Sequence, residues 1–496
     1  MVFNSLHFAA FFVVVFAVVG MLRNRVTARN AFLLCCGYYF YGWWDWRFLG
    51  LLAFTTLFDY VCGRMLGEGS RDADNKVVRI GRDRVFVIAS VSVNLAVLGF
   101  FKYFNFFIDS AGVLLSRFGL HDQLPVLRIL LPVGISFYTF QSISYVVDVY
   151  RGILKSERNL LTYATFVAFF PPLVAGPIER ASHLLPQIAR PSHPTWDRIS
   201  SGTYLIGWGL FKKVVIADNI AAVADEIFKR FLPETMLFEG SGALSGGLSA
   251  WVGMYAFAIQ IYCDFSGYTD IARGVARCMG FELSLNFDLP YFSANPSEFW
   301  RRWHISLSSW LRDYLYIPLG GNRKGNARTY VNLMVTMLLG GLWHGAAWTY
   351  VLWGAYQGLL LCAHRAAKPT LERLVPEQST FGRSFAWRVM RVFVMFHFIC
   401  VGWLIFRAET LSQAYHMLRA ALLSPKWIPL DPRLVLTICV CAGILMIVQL
   451  AQAWKREPLI GLKLPVPLRA IAYAGVILGI VIFGEANGRA FIYFQF

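Results

Sequence analysis

The stretch Met1–Gly20, MVFNSLHFAAFFVVVFAVVG, contains no Lys or Arg, and Arg23, Arg25 and Arg29 follow directly behind it. A secretory signal has the opposite order, with positive charge ahead of the apolar run. The order found here predicts a retained first membrane span with its N-terminus outside, because basic residues collect on the cytoplasmic flank. The next segments fit the same reading. Ala31–Trp44 and Phe48–Cys62 predict two more spans, and the loop Gly63–Arg84 then carries Arg64, Arg71, Lys76, Arg79, Arg82 and Arg84. Val85–Phe107 predicts a fourth span, followed by a short loop nearly free of basic residues. Val126–Val149 predicts a fifth, which delivers the chain to Arg151, Lys155 and Arg158. Basic and non-basic loops alternate as a membrane orientation demands.

Composition agrees. Of 496 residues, 57% are apolar, 16% aromatic and only 15% charged, and the mean hydropathy is +0.52. A soluble domain carries roughly 25% charged residues to cover its surface, so a soluble globule is excluded, and disorder with it. The formal net charge of +17 would suggest nucleic acid on a soluble chain; here the basic loops account for it, and no nucleic-acid partner is expected. The nine Cys contain no C-x-x-C spacing and read as small packing residues.

The middle of the chain is less regular. Tyr163–Ile178 is apolar but broken by Pro171-Pro172 and Gly176-Pro177, with basic residues on both sides. This predicts a re-entrant segment, since broken backbone at membrane depth survives only inside protein or beside water. Tyr204–Ile216 holds Lys212-Lys213 at its centre and suggests an oblique or interfacial helix. Trp251–Phe265 reads as a span, and Arg273–Arg328 as a large basic, amphipathic, cytoplasmic or half-embedded segment. Val331–Trp343 and Ala346–Ala363 are apolar runs separated by a kink at His344-Gly345. Beyond the basic stretch Arg365–Arg391, Val392–Phe406, Leu434–Ala451 and Leu468–Phe483 read as spans. The expected architecture is all-α, a polytopic bundle of about eleven or twelve transmembrane helices with re-entrant and interfacial helices. With no repeat and no appended soluble region, residues 1–496 read as a single domain.

Polar groups at membrane depth are costly and mark function. Two places concentrate them. In Glu298–Tyr314, helical spacing would put Trp300, Trp303, Leu307, Trp310, Leu311 and Tyr314 on one face, with His304 and Ser308 neighbours four apart. The plainer reading of that segment is an interfacial helix with Trp at the headgroup boundary. In Leu339–Trp348, His344 interrupts uncharged apolar sequence among Gly340, Gly341 and Gly345. An imidazole can take and return a proton near neutral pH, which makes it the cheapest general base to keep in a membrane. The plainer reading there is a packed core histidine. Cys263–Asp270 closes a span with Asp264 and Asp270, which either bind a cation or pair with Arg273. His7, His121, His183, His193, His364, His397 and His416 lack companions in the sequence. No nucleophile elbow, zinc-protease or phosphate-loop motif occurs, and no metal site is expected.

Trp303-His304-Ile305-Ser306-Leu307 with Leu311–Gly321, then Gly341-Leu342-Trp343-His344-Gly345, resembles the membrane-bound O-acyltransferases, in particular the bacterial branch that O-acetylates alginate, cellulose and peptidoglycan. Pro132–Gln141, Phe170–Ile178, Tyr262–Tyr268 and both chain ends are similar to that branch too. The resemblance implies a central funnel or tunnel, a catalytic region at about 251–363, and His344 as the catalytic base, with His304 positioning or polarising the acyl carbonyl. It also implies a cytoplasmic thioester donor, acetyl-CoA or another acyl thioester, with no bound cofactor. The acceptor would be an extracytoplasmic polysaccharide, or a periplasmic O-acetyltransferase partner, reached from the bacterial inner membrane. Two alternatives stay open: a D-alanyl-type transferase fed by a carrier protein, and a transporter or channel whose His304 and His344 line a polar pathway.

Overall fold

The computed structural model describes residues 1–67, 70–71, 77–78, 81–119, 129–232, 246–376, 378–424, 431–484, 489 and 491–492. Lys76, Arg79, His121, most of the Gly-rich stretch 240–247 and the chain end 493–496 lie outside them. Among the described residues the regular structure is helical apart from a two-residue antiparallel pair, Ser70–Arg71 with Val77–Val78. They divide into two compact units, residues 1–206 with 269–284, and residues 207–268 with 285–496.

Five helical stretches among the described residues have the length and apolar composition to cross a membrane: Val26–Leu66, Gly81–Arg117, Phe385–Arg407, Pro432–Lys455 and Val466–Phe483. Leu6–Met21 is apolar but only 16 residues long, and starts at Ser5, whose hydroxyl accepts from the Phe8 N–H at 3.1 Å. Ile135–Tyr150, Gly247–Cys278, Gly325–His344 and Trp348–Leu374 occupy further runs that read as spans in the sequence. The chain is a multi-pass, all-α membrane protein.

In the first unit, Arg29 is not the solvated flank that the charge pattern suggested. It lies inside the helix Val26–Asp45 with no exposed surface. Its guanidinium donates to the carbonyls of Ile188, at 2.5 Å, and Arg190, at 2.8 Å. Ile188 is the last residue of the helix Ala181–Ile188 and Arg190 lies two residues beyond it, so a buried cation caps the negative end of a helix. Asp59 is likewise buried and satisfied: its carboxylate accepts from Ser90 Oγ at 2.6 Å and Asn94 Nδ2 at 2.9 Å. The segment with the Pro and Gly breaks forms two short helices, Leu160–Val167 and Phe170–Leu173. At about 1.5 Å per residue neither can cross a ~30 Å hydrocarbon layer. Every residue from Thr162 to Glu179 is buried, which is the surrounding that irregular backbone at such depth requires.

In the second unit the fate of Lys212-Lys213 is decided by packing. The helix Trp196–Leu210 opens into a wide π-helical turn, Phe211–Ala217, before Asp218–Lys229 continues. Both lysines are buried inside the protein and not at an interface. Lys213 Nζ lies 2.6 Å from Asp264 and 2.8 Å from Asp218, and Lys212 Nζ donates to Ser266 Oγ at 2.8 Å. The approach is close because Gly267 has no side chain: a Cβ there would stand 2.8 Å from the Gly209 carbonyl oxygen. The cation that Asp264 holds is thus a lysine ammonium. Asp270 pairs with Arg273 at 3.4 Å, one of the arrangements its sequence context allowed.

Candidate active site

Residues Glu298–Tyr314 do not form the continuous helix expected of them. They form Pro296–Arg302 and Ile305–Leu311, followed by a π-helical turn at Arg312–Tyr316. The first helix starts with reciprocal capping: Asn295 Oδ1 accepts from the Glu298 N–H at 2.8 Å, and Glu298 Oε2 accepts from the Ala294 N–H at 2.9 Å. The break falls on His304, whose φ of 43° and ψ of 54° place it in the left-handed region. A β-carbon makes that region costly, on the order of 1–3 kcal/mol, and such residues gather at functional sites. His304 and Ser308 are therefore not partners on one helix face; Ser308 instead donates its hydroxyl to the Trp303 carbonyl at 3.1 Å.

What holds the break is a loop 18 residues upstream. The Ile305 N–H donates to the Asn286 carbonyl at 3.0 Å, and the Asp288 N–H to the Arg302 carbonyl at 3.0 Å. The Asn286 side chain, fully buried, gathers three donors on one oxygen. Its Oδ1 lies 3.2 Å from the Ser306 N–H, 2.9 Å from Ser306 Oγ and 3.1 Å from His304 Nδ1. A backbone N–H can only donate, so the atom facing it is the amide oxygen, and His304 Nδ1 must then carry a proton. The lone pair of the neutral ring is on Nε2. Burial also holds the His304 imidazole well below the usual histidine range. His304 is thus a neutral imidazole whose Nε2 accepts; it would polarise a carbonyl only as the imidazolium that burial disfavours.

His344 ends the helix Gly325–His344, and Gly345 turns the chain into Trp348–Leu374. The kink is where the glycine pattern placed it. The two helices pack backbone to backbone: a Cβ on Gly341 would meet the Tyr350 carbonyl oxygen at 2.3 Å, and one on Gly345 the Tyr350 ring at 2.1 Å. Close contact between the helices fixes the depth and direction of His344.

The fold brings the two histidines together. Their ring centroids are 6.4 Å apart, too far for a direct hydrogen bond between nitrogens and near enough to act on one reacting group. Both are buried, His304 fully and His344 to 4% exposure. Their walls are aromatic. Phe265 stands edge-on to His304 at 4.7 Å, while Trp353 and Phe406 stand edge-on to His344 at 5.0 and 5.4 Å. Trp303 and Trp403 close the wall behind, 4.7 Å from each other. Such surroundings keep water from a reactive acyl group.

Of the remaining histidines, two have companions that the sequence did not reveal. His183 Nδ1 lies 2.9 Å from the buried Glu179 carboxylate, which holds its pKa above the ordinary value, and His397 Nε2 lies 2.8 Å from the Tyr255 hydroxyl. Asn286 is the site residue that sequence reasoning missed. Its only signal was an amide between Leu285 and Phe287, and nothing in that spacing points to residue 304. Among the described residues no three His, Cys, Asp or Glu side chains gather where they could hold a metal ion.

The fold is an all-α membrane bundle in which two buried histidines stand with ring centroids 6.4 Å apart. The profile of the MBOAT, membrane-bound O-acyltransferase family matches residues 154–406, a span that contains both histidines. The chain is also 43% identical over 429 residues to the probable alginate O-acetylase AlgI of Pseudomonas putida, covering 86% of this chain and 81% of that protein. It is 33% identical to the peptidoglycan O-acetyltransferase of Helicobacter pylori, covering 84% and 80%. It is 27% identical to the teichoic acid D-alanyltransferase of Bacillus subtilis, covering 56% and 68%. The chain belongs to the membrane-bound O-acyltransferase family and is an acyltransferase, which decides for the enzyme over the transporter reading.

Proposed function

We propose that this enzyme takes an acetyl, or other short acyl, group from a thioester donor on the cytoplasmic side and passes it on for O-acetylation of an extracytoplasmic polysaccharide such as alginate, cellulose or peptidoglycan. The relatives that O-acetylate alginate and peptidoglycan support the substrate class. The observation that carries the site is the pair of imidazoles 6.4 Å apart within an aromatic wall. His344 is the general base. The acceptor hydroxyl oxygen attacks the thioester carbonyl carbon, and the hydroxyl proton moves to His344. The carbon–sulfur bond then breaks, and His344 returns the proton to the departing thiolate. His304, held with Nδ1 protonated by Asn286, accepts at Nε2 a hydrogen bond from a neighbouring hydroxyl of the acceptor and so orients it, while the single proton of the attacking hydroxyl goes to His344; this role is narrower than polarising the carbonyl. The cell inner membrane, and a periplasmic partner that completes transfer to the polymer, are part of the same proposal.

The teichoic acid D-alanyltransferase relative keeps a second reading open, D-alanyl-type transfer, for which the donor we propose is an acyl group on a carrier protein. One experiment addresses both. Purified enzyme in nanodiscs is given labelled acetyl-CoA or labelled acetyl carrier protein, with oligosaccharide acceptor. His344→Ala abolishes label transfer from the true donor while its yield and elution profile match the parent. Normal transfer by that variant overturns the base assignment, and transfer from the carrier alone decides the donor.

A further inference from the structure

Within the second unit, a groove of about 810 Å³ lies between the helices Pro296–Arg302, Gly325–His344, Trp348–Leu374 and Phe385–Arg407. Its lining separates into two chemistries. Arg301, Arg365, Lys368 and Arg391 supply four cations, against a single carboxylate from Glu372. Lys368 is matched by Glu372 at 3.4 Å. Arg301, Arg365 and Arg391 form no ion pair among the described residues, so a positive charge is left over. The rest of the groove is largely hydrocarbon, including Leu333, Leu360 and Leu361, with Asn295, Ser297, Tyr316 and His364 as further polar groups. Met390, Val394 and Phe398 line it too, four apart along Phe385–Arg407, and each is about half exposed. That helix is one of the stretches fit to cross the membrane, so the groove opens sideways where lipid chains would lie.

We propose that this groove binds an anionic phospholipid, its phosphate held by Arg365 and Arg391 and an acyl chain lying along Met390, Val394 and Phe398. Arginine forks suit phosphate oxygens, and basic pockets between transmembrane helices at the cytoplasmic side are where anionic headgroups lodge. Three of the four cations that the groove collects, Arg365, Lys368 and Arg391, belong to the stretch Arg365–Arg391, whose charge marks the cytoplasmic side. Polar side chains line the groove as well, but three half-exposed apolar residues in a row along a helix fit to cross the membrane favour a chain-bearing anion over a water-soluble nucleotide.

The full-length protein, in nanodiscs of dioleoylphosphatidylcholine with a minor share of dioleoylphosphatidylglycerol, is released into a native mass spectrometer and its retained lipids are counted. Phosphatidylglycerol is retained in preference to phosphatidylcholine. Arg365→Gln with Arg391→Gln cuts that preference about thirty-fold, or ~2 kcal/mol, whereas Arg365→Lys with Arg391→Lys keeps most of it. Equal retention of the two lipids by the parent, or an unchanged preference in the Gln variant, overturns the proposal. So does loss in the Lys variant while it elutes as the parent does. Displacement of the lipid by coenzyme A also overturns it, and would assign the groove to the donor.

Discussion

Replacing Asn286 by Ala tests the most specific element of the proposed site. The amide oxygen serves three buried donors, the Ser306 N–H, the Ser306 hydroxyl and His304 Nδ1. The hydroxyl can rotate to a new acceptor, but the backbone N–H and the imidazole N–H cannot. A buried donor left unsatisfied costs roughly 1–3 kcal/mol, so two of them give an expected loss of stability of about 2–6 kcal/mol, visible as a lower thermal midpoint of the purified protein. The kinetic effect is separate. A single hydrogen bond worth ~1.4 kcal/mol biases the tautomer about tenfold, and losing the orientation of the ring adds to that. In a label-transfer assay, kcat should fall between about ten- and a hundred-fold while KM for the donor changes little, because Asn286 holds a ring and not the substrate. Asn286→Asp keeps the acceptor but adds negative charge beside the ring. A carboxylate favours the imidazolium, so His304 keeps its proton to higher pH and the acid limb of the kcat/KM profile moves upward. If the Ala variant retains kcat within twofold of the parent, Asn286 does not set the tautomer. An Asp profile that overlays the parent's leads to the same conclusion.

Three further outcomes follow from the packing. Gly341→Ala would drive a methyl group into the Tyr350 carbonyl 2.3 Å away, so the helices carrying His344 must part; we expect a loss of about 2 kcal/mol or more and a matching loss of activity, and an unchanged thermal midpoint would contradict the close approach. Lys213→Met leaves the buried carboxylates of Asp218 and Asp264 facing each other without their cation, at a cost of about 3–5 kcal/mol; adding Asp218→Asn and Asp264→Asn should restore most of the thermal midpoint, and no recovery would mean that the ion cluster is not the cause. Trp353→Ala opens the wall beside His344, so donor hydrolysis without acceptor should rise relative to transfer, measured as free acetate per product; an unchanged ratio would argue that water is excluded elsewhere.

Much of the site could be read in the sequence because its signals are local. A lone histidine in an uncharged, Gly-rich apolar run is conspicuous, and His344 stands at the helix end that the kink suggested. His304 was legible as a residue but not as a geometry. Helical periodicity extended across Glu298–Tyr314, but of the tryptophans that suggested one amphipathic face Trp300 and Trp310 sit on two different helices and Trp303 at the break between them. Trp303 packs 4.7 Å from Trp403, a hundred residues away, so a tertiary contact and not helix period explains its burial. Periodicity reports which residues dislike water; it does not report where a chain stops being helical to satisfy a loop.

That the chain lives in a membrane and is helical could be read from its residues alone, as could the two histidines that its apolar stretches single out as candidates. Those follow from transfer free energies and from side-chain period, both properties of short stretches. It took the folded chain to bring the histidines within 6.4 Å of each other and to set the Asn286 amide oxygen against the ring of one of them. The fold also decided that Lys213 answers two carboxylates, one of them 51 residues away, and that Arg29 caps a helix end instead of facing the cytoplasm. Each of these pairs distant polar groups inside a low-dielectric interior, where an unpaired group is too costly to keep. Burial makes the pairing obligatory, and only packing chooses the partner.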